Sequence, residues 1–393
     1  MAAFQQKVTQ LADTTKWPKL SAFLPQNLWP WIWHYLQVTF RRKYRPYPGY
    51  DSLATGIYLL KSASGGGSIH LSIAGDWGTG TQESADIADA IETWKSDYNI
   101  HLGDVYYVGD DPEVKENFLG ISTSQYTPVY WPKGTVGTFT LLGNHEMYGG
   151  GSPYFGEMLQ YCETGDGSNQ SASFFCLEGE SWRIIALDTG YNSVGIPILG
   201  SIPGVKKIPF IGANCKLEQA LLSWLENTVK PQSNPKATLL LSHHQFYSDF
   251  SDEAYGKPAK QISQYFPNQE VIWMFGHEHR LAVYDSIALD NGMRAYARCL
   301  GHGGMPVDSG KPKKSLHLEL YDPRTDYPLD SNGSAGGWNG FVNLTVDGAT
   351  LLFEYFDIKG QCLLRETFES LGALERLKYD RTLPVPVLIG PPA

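Results

Sequence analysis

Gly75-Asp76-Trp77-Gly78 is the first of five short stretches that together decide the fold of this 393-residue chain. The other four are, in order, Gly103-Asp104-Val105-Tyr106-Tyr107, Gly143-Asn144-His145-Glu146, Leu240-Leu241-Ser242-His243 and Gly276-His277-Glu278-His279. Each stretch carries Asp, Asn or His, and these side chains are common ligands of metal ions in proteins. One Gly-Asp or Gly-His pair is ordinary in a turn, but five in one chain predict a hydrolase with two metal ions.

In each stretch, a short apolar run with the character of a β-strand comes before the Asp, Asn or His residues. The predicted strands are residues 69–74, 100–102, 138–142, 238–241 and 271–275. Residues 83–95 and 217–225 have the apolar spacing of helices. Because ligands bind at the carboxyl edge of open α/β sheets, we expect the polar residues that follow the strands to meet at one edge.

The region after residue 293 is rich in further strand-like runs separated by Gly and Asn turns, which predicts a second sheet packed on the first. We therefore predict three parts of the chain. They are an aromatic and basic extension over residues 1–50, a catalytic α/β domain over residues 51–370 and a C-terminal tail over residues 371–393.

Composition and charge exclude several classes of protein. The chain is 42% hydrophobic and has a formal net charge of -10, so it can bury a large core but lacks the basic surface of a nucleic-acid-binding protein. Its five cysteines are odd in number and scattered, which indicates reduced thiols. The N-terminal sequence has no secretory pattern, so a cytoplasmic location is expected.

Residues 21–40 carry no formal charge, contain three tryptophans and are followed at once by Arg41-Arg42-Lys43-Tyr44-Arg45. One interpretation is peripheral membrane contact through residues 21–45, with aromatic rings at the headgroup level and cations on anionic lipid. The other is an arm whose aromatic side chains pack on the catalytic domain. Pro25 and Pro30 argue against a spanning helix.

The chemistry of the five stretches fits paired cations. Asp76 and Asp104 are one strand-helix-strand unit apart, so their carboxylates are expected on neighbouring strand ends, where they repel unless cations intervene. Asn144 adds a neutral oxygen. His277 and His279 have one residue between them, so in an extended segment both imidazoles point the same way.

The order of these motifs resembles the calcineurin-like metallophosphoesterase superfamily over residues 58–368. Gly78 stands where the wider superfamily has His, and Gly-Asp-x-x-Tyr ends at Tyr107; both features resemble the purple acid phosphatases. The resemblance implies a metallophosphoesterase fold, a four-layer α/β/β/α sandwich of two mixed β-sheets. In a chain with 23 tyrosines, Tyr107 could instead be a packing aromatic.

The same resemblance implies a ligand set for two metal ions. A ferric ion is expected on Asp76, Tyr107 and His279, with Asp104 bridging to a divalent ion. The divalent ion, Zn²⁺, Fe²⁺ or Mn²⁺, is expected on Asn144, His243 and His277.

The activity implied is a binuclear phosphatase that hydrolyses phosphomonoesters of small substrates by attack of a metal-bound hydroxide. Asp104 and His145 are the expected catalytic residues, and His145 is expected to contact phosphate and to protonate the leaving alkoxide. Asn144 and His244 are further candidates for substrate contact. Two alternatives stay open: a phosphodiesterase with two divalent ions, for example on cyclic nucleotides, and a catalytically silent scaffold.

Overall fold

The computed structural model describes residues 31, 33–41, 43–50, 55–124, 127–194, 214–328, 335–372 and 377–391. The strands are β1 (Ile57–Leu59), β2 (Ile69–Ala74), β3 (Tyr98–His101), β4 (Gly137–Thr140), β5 (Phe175–Glu178), β6 (Trp182–Leu187), β7 (Ala237–Ser242), β8 (Glu270–Phe275), β9 (Leu281–Ala288), β10 (Arg294–Leu300), β11 (Val307–Asp308), β12 (Leu318–Tyr321), β13 (Thr325–Pro328), β14 (Ala335–Gly337), β15 (Gly340–Asp347), β16 (Thr350–Asp357), β17 (Cys362–Ser370) and β18 (Leu377–Thr382).

The helical segments lie mainly between the strands of the first two thirds of the chain. They are α1 (Gln82–Trp94), α2 (Asp111–Asn117), α3 (Asn144–Tyr148), α4 (Leu159–Tyr161), α5 (Gln219–Trp224) and α6 (Gly256–Ile262), with π-helical turns at Tyr154–Met158 and Leu225–Val229 and 3₁₀ turns at Ser263–Tyr265 and Asp290–Gly292. Residues 31 and 33–41 are also helical and form the N-terminal helix.

Two mixed sheets carry the fold. One has seven strands in the order β18-β17-β16-β15-β2-β3-β4, and the other has eight in the order β1-β5-β6-β7-β8-β10-β9-β12. Strands β2, β3 and β4 are parallel, and Ile100 pairs with Ile73 on one side and Phe139 on the other. This register brings the ends of the three strands level, so the loops that follow them lie side by side.

The main core lies between the two sheets. Leu71 and Ile73 of β2 and Leu239 and Leu241 of β7 are fully buried members of this cluster. Each such side chain contributes about 1.5–3 kcal/mol by leaving water. The alternation of these residues along their strands is what directs one face of each sheet into the core.

Helices cover the two outer faces. On the seven-stranded sheet, Ile91 of α1 belongs to one buried cluster with Phe341 of β15. On the eight-stranded sheet, Leu221 of α5 belongs to a cluster with Trp273 of β8. The predicted α/β sandwich of two mixed sheets is therefore confirmed.

The sequence predicted that the strand-rich region after residue 293 forms the second main sheet, but the region divides among three sheets. Strands β10 and β12 complete the larger sheet, β15 to β18 complete the smaller one, and β11, β14 and β13 form a separate three-stranded sheet. The reason is that β2 needs a partner on its free side, and β15 supplies it, with Leu344 opposite Leu71. Residues 377–382, predicted as part of a tail, form the edge strand β18.

The described part of the N-terminal extension packs on the catalytic domain. Trp31 is 5% exposed, and its ring stacks on that of Tyr107 at a centroid distance of 4.4 Å. The His34 Nε2 atom lies 2.9 Å from the Asp110 carboxylate. Further along, the backbone N–H of Arg45 donates to the Gly150 carbonyl. Residues 21–30, part of the region predicted to contact a membrane, lie outside the described residues.

Among the described residues, no helix combines the length and apolar character needed to span a bilayer.

A buried ion pair joins the two sheets through the core. Arg298 of β10 and Glu366 of β17 are fully buried, with the guanidinium donating to both carboxylate oxygens at 2.7 Å. The Tyr355 and Tyr379 hydroxyls donate to the same carboxylate at 2.6 Å. Every charged atom of the pair thus has a partner, which a buried charge requires.

We predict that Glu366→Gln lowers the free energy of unfolding by roughly 3–5 kcal/mol, because it leaves the Arg298 charge buried without its counter-ion. Glu369→Gln, on the same strand, is the matched control, since its partner Lys378 is largely exposed. That control should cost about 1 kcal/mol or less. Urea unfolding of both variants measures the difference, and equal losses would contradict the assignment.

Candidate metal centre

The five motif loops converge at a single edge of the sandwich. Asp76, Asp104 and Asn144 follow β2, β3 and β4 of the smaller sheet, whereas His243 and His277 follow β7 and β8 of the larger one. The carboxyl ends of the parallel strands in both sheets therefore meet at this edge.

One group of polar atoms gathers around the hydroxyl of Tyr106. This hydroxyl donates to Asp76 Oδ1 at 2.8 Å, and it lies 3.0 Å from His279 Nε2 and 3.3 Å from Asp104 Oδ2. His279 Nε2 is itself 3.3 Å from Asp76 Oδ1. A phenol, a carboxylate and an imidazole thus meet at one point.

A second group gathers around His243. Its Nε2 atom is 3.2 Å from Asp104 Oδ2 and 3.2 Å from Asn144 Oδ1. Its Nδ1 atom is 2.9 Å from the Leu102 carbonyl, which can only accept, so Nδ1 carries the proton and Nε2 is the atom turned to the oxygens. Asp104 Oδ2 is within 3.3 Å of both groups and joins them.

His277 lies beside the second group. Its ring centroid is 5.3 Å from that of His243, and its backbone N–H donates to Asp76 Oδ2 at 2.8 Å. A nitrogen of His277 comes within 4.8 Å of nitrogens of His243 and His244. The structure thus brings together six of the seven predicted ligand residues, Asp76, Asp104, Asn144, His243, His277 and His279.

Tyr107 is the predicted ligand that the structure does not bring to this cluster. Its ring stacks on Trp31, and its carbonyl oxygen, not its hydroxyl, faces the site by accepting from His145 Nδ1 at 2.6 Å. The phenol beside Asp76 belongs to Tyr106, the preceding residue. Adjacent side chains in this loop point to different sides, so the structure places Tyr106 and not Tyr107 beside Asp76, and the ligand role of Tyr107 stays a prediction.

His145 lies at the open side of the cluster. Because Nδ1 donates to the Tyr107 carbonyl, Nε2 is the atom free to exchange a proton, and it is 3.8 Å from Asp104 Oδ2. Burial lowers the pKa of His145 below its ordinary value, while the Asp104 charge opposes that shift. This position fits the predicted contact with a substrate.

The donor set fits metal ions. Burial alone would raise the pKa of Asp104, but the neighbouring His243 and His145 hold it well below its usual range. Burial would lower the pKa of His243, yet Asp104 raises it to about 9. Without cations, these buried carboxylates depend on protonated histidines for neutrality. A metal site has this combination of converging oxygen and nitrogen atoms and a requirement for positive charge.

A sequence profile described as calcineurin-like phosphoesterase matches residues 69–281, more than half of the chain. This chain belongs to that family. The predicted metallophosphoesterase superfamily is thereby confirmed. Family membership and the clustered ligand side chains together support a binuclear metal phosphoesterase, a hydrolase.

No curated protein sequence matches the chain significantly. Solved structures with a similar fold include a purple acid phosphatase from yellow lupin (Lupinus luteus) seeds, at 15% identity and a TM-score of 0.47, covering 78% of this chain and 53% of that one. A dimetal phosphatase from Danio rerio has 11% identity and a TM-score of 0.42, and the match covers 78% of this chain and 100% of that one. GAP50 of Plasmodium has 14% identity and a TM-score of 0.45, and the match covers 80% of this chain and 90% of that one. The phosphoesterase spans about half the length of the lupin protein.

Glu146 has a role in this phosphoesterase that the sequence did not reveal. It is fully buried, and its two oxygens accept from the backbone N–H groups of Val105 at 2.7 Å and Gly143 at 2.9 Å. Burial, with the charge of Asp104, raises the pKa of Glu146 to about 8. The side chain therefore ties the Asp104 loop to the Asn144 loop.

His244, a predicted substrate contact, is buried behind the cluster. Its Nδ1 atom is 3.1 Å from the Thr189 hydroxyl, and that hydroxyl also accepts from the His244 backbone N–H at 3.0 Å. Its ring centroid lies 4.5 Å from that of His277. These contacts make His244 a support for His277 in this structure, and its contact with substrate stays a prediction.

Three of the converging residues have left-handed backbone conformations, with φ of 57° at Asp76, 73° at Asp104 and 62° at His277. Such conformations cost about 1–3 kcal/mol and persist where the surroundings impose them. The N–H of His277 donates to the Asp76 carboxylate, and the N–H of His145 donates to that of Asp104 at 3.0 Å. These bonds hold the loops in place.

Close approach also explains the glycine that precedes Asn144. A Cβ at Gly143 would lie 2.0 Å from Asp104 Oδ1 and 2.7 Å from the Asp104 backbone nitrogen. Real carbon and oxygen atoms do not approach so closely, so only glycine allows the two loops to touch.

We predict that Gly143→Ala weakens binding of Mn²⁺ or Zn²⁺ at least tenfold, since the methyl group must push Asp104 away from His243; misplaced ligands typically cost 10- to 100-fold in affinity. Gly66→Ala, where a Cβ meets no atom within 4 Å, is the control. Isothermal titration calorimetry measures both. Unchanged affinity in Gly143→Ala would show that the Asp104 position does not matter for metal binding.

Proposed function

We propose that this phosphoesterase is a binuclear metal phosphatase that hydrolyses phosphomonoesters of small substrates. The observation that carries the proposal is the position of Asp104, whose one oxygen lies within 3.3 Å of both the Tyr106 hydroxyl and His243 Nε2. A carboxylate in that position suits a bridge between two cations, one on each side.

The two groups divide the ligands as follows. Asp76, Tyr106 and His279 would hold a ferric ion, with the Tyr106 phenolate taking the place we predicted for Tyr107. Asn144, His243 and His277 would hold a divalent ion, Zn²⁺, Fe²⁺ or Mn²⁺, and Asp104 would contact both. When bound, the two ions supply positive charge for the phosphate oxygens and activate the attacking water.

The Tyr106 phenol supports a ferric ion in one site. Burial and the charges of Asp76 and Asp104 raise the pKa of Tyr106 well above the ordinary value. Only a highly charged cation bound at the phenol oxygen would therefore displace its proton. An anionic phenolate in place of a neutral imidazole adds one negative charge, which matches the extra charge of Fe³⁺ over a divalent ion. The net charge that the site presents to the substrate is then the same as in a site with an imidazole and two divalent ions.

His145 and Asn144 act on the substrate side. Asn144 keeps its oxygen toward His243 because its Nδ2 atom donates to the Tyr148 hydroxyl at 3.0 Å. His145 presents Nε2, and the charge of a phosphomonoester dianion favours its protonated form. That proton can leave with the alkoxide as the phosphate ester bond breaks.

We expect Asp104→Asn to lower kcat for p-nitrophenyl phosphate by at least a thousandfold, because the amide cannot neutralise two cations at once. Asp252→Asn is the control and should retain full activity, because the Asp252 side chain is largely exposed. Thermal unfolding of both proteins checks that each is folded. Retained hydrolysis in Asp104→Asn would contradict the proposed centre.

A ferric phenolate absorbs visible light, so the tyrosine can be identified by spectroscopy. We expect a purple charge-transfer band after loading with ferric iron and a divalent metal, and we expect Tyr106→Phe to lose it. Tyr107→Phe should keep the band. The reverse result would restore Tyr107 as the ligand. A colourless native protein that binds two divalent ions would favour the phosphodiesterase alternative.

A further inference from the structure

We infer that the outward face of the N-terminal helix is a docking surface for an anionic lipid bilayer. This docking surface consists of Trp33, Gln37, Phe40 and Arg41, together with Lys43 just after the helix. All five residues are exposed. The inference concerns where the protein binds, and it does not depend on the reaction proposed above.

The helical spacing of these residues makes a single surface. Positions 33, 37, 40 and 41 are separated by four, three and one residues, which places them on one side of an α-helix. Trp33 is 64% exposed and Phe40 is 68% exposed, while Thr39, between them on the inner side, is 2% exposed. Two large aromatic side chains are thus turned away from the domain.

The opposite side of the helix is fixed to the domain, so the docking surface has a defined orientation. Trp31 stacks on Tyr107, and the ring of Tyr35 meets that of Tyr148 edge-on at 4.9 Å. The His34 contact with Asp110 adds a polar link. A helix held in this way presents its outer residues away from the domain, which a bilayer contact needs.

Charge selects the kind of partner. Residues 14–50 contain six Lys or Arg and no Asp or Glu, in a chain whose net charge is -10. Such a segregated basic region is attracted to an anionic surface, and each cation near such a surface adds about fivefold to binding. Tryptophan and phenylalanine beside the cations suit the interface between headgroups and acyl chains.

The docking surface is close to the proposed metal centre. Trp33 is two residues from Trp31, whose ring stacks on Tyr107, and Tyr107 is in edge contact with His145 at 5.4 Å. The helix therefore lies between a bilayer seated on its outer side and the residues beside the site.

The test uses the full chain and sedimentation with sucrose-loaded vesicles. One set contains phosphatidylcholine alone, and the other contains about 30% phosphatidylserine, which gives a strongly negative surface. We expect binding to the anionic vesicles, weakening at high salt, and little binding to the neutral ones. Failure to bind anionic vesicles at low salt, or equal binding to both sets, would overturn the inference.

Two pairs of substitutions locate the surface. Arg41→Gln with Lys43→Gln should weaken binding about 25-fold, the product of two fivefold factors. Trp33→Ser with Phe40→Ser should weaken it at least roughly tenfold, because the apolar anchor is lost. Both variants should hydrolyse p-nitrophenyl phosphate at the native rate, since neither changes a residue of the metal centre.

Controls with matched chemistry lie elsewhere on the surface. Lys313→Gln with Lys314→Gln removes two exposed cations, and Leu316→Ser removes an apolar side chain that is 74% exposed. These controls should bind vesicles like the native protein. If the controls and the docking-surface variants bind equally well, or if the native chain binds soluble polyglutamate but no vesicle, the helix is not a bilayer-docking surface.

Discussion

Two buried carboxylates, those of Asp76 and Asp104, impose the constraint on which the rest of this structure depends. Both side chains are almost completely shielded from water, and oxygens of each lie within 3.3 Å of the same Tyr106 hydroxyl. Like charges so close in a region of low dielectric constant are costly unless positive charge is near. Histidines on the other sheet supply part of it, and metal ions can supply the remainder.

The architecture brings the two sources of ligands together. The aspartates and the asparagine come from parallel strands of one sheet, and the histidines come from parallel strands of the other. Glu146 then ties two of the loops, and Gly143 allows their close contact. The binuclear centre is thus a property of the joined sheets, which the buried Arg298–Glu366 pair also links through the core.

The tyrosine pair shows how far sequence reasoning reaches. A motif spacing identifies which loop contributes a phenol, but it cannot decide between neighbours whose side chains leave the backbone in different directions. Asp104 has a left-handed backbone with φ of 73°, so the alternation of side chains along an extended strand does not apply to this loop. The buried position of Glu146 also had no local indication, since its partners are backbone N–H groups of loops set by tertiary contacts.

The sequence by itself determined the strand ends, the residue types that follow them and the family, because hydrophobic periodicity and local motifs are short-range properties of the chain. It also determined that the N-terminal segment is aromatic and basic. Only the tertiary structure decided which sheet receives each late strand, which tyrosine faces Asp76 and which side of the N-terminal helix is covered. Those choices depend on the packing of segments far apart along the chain, and no local pattern specifies that packing.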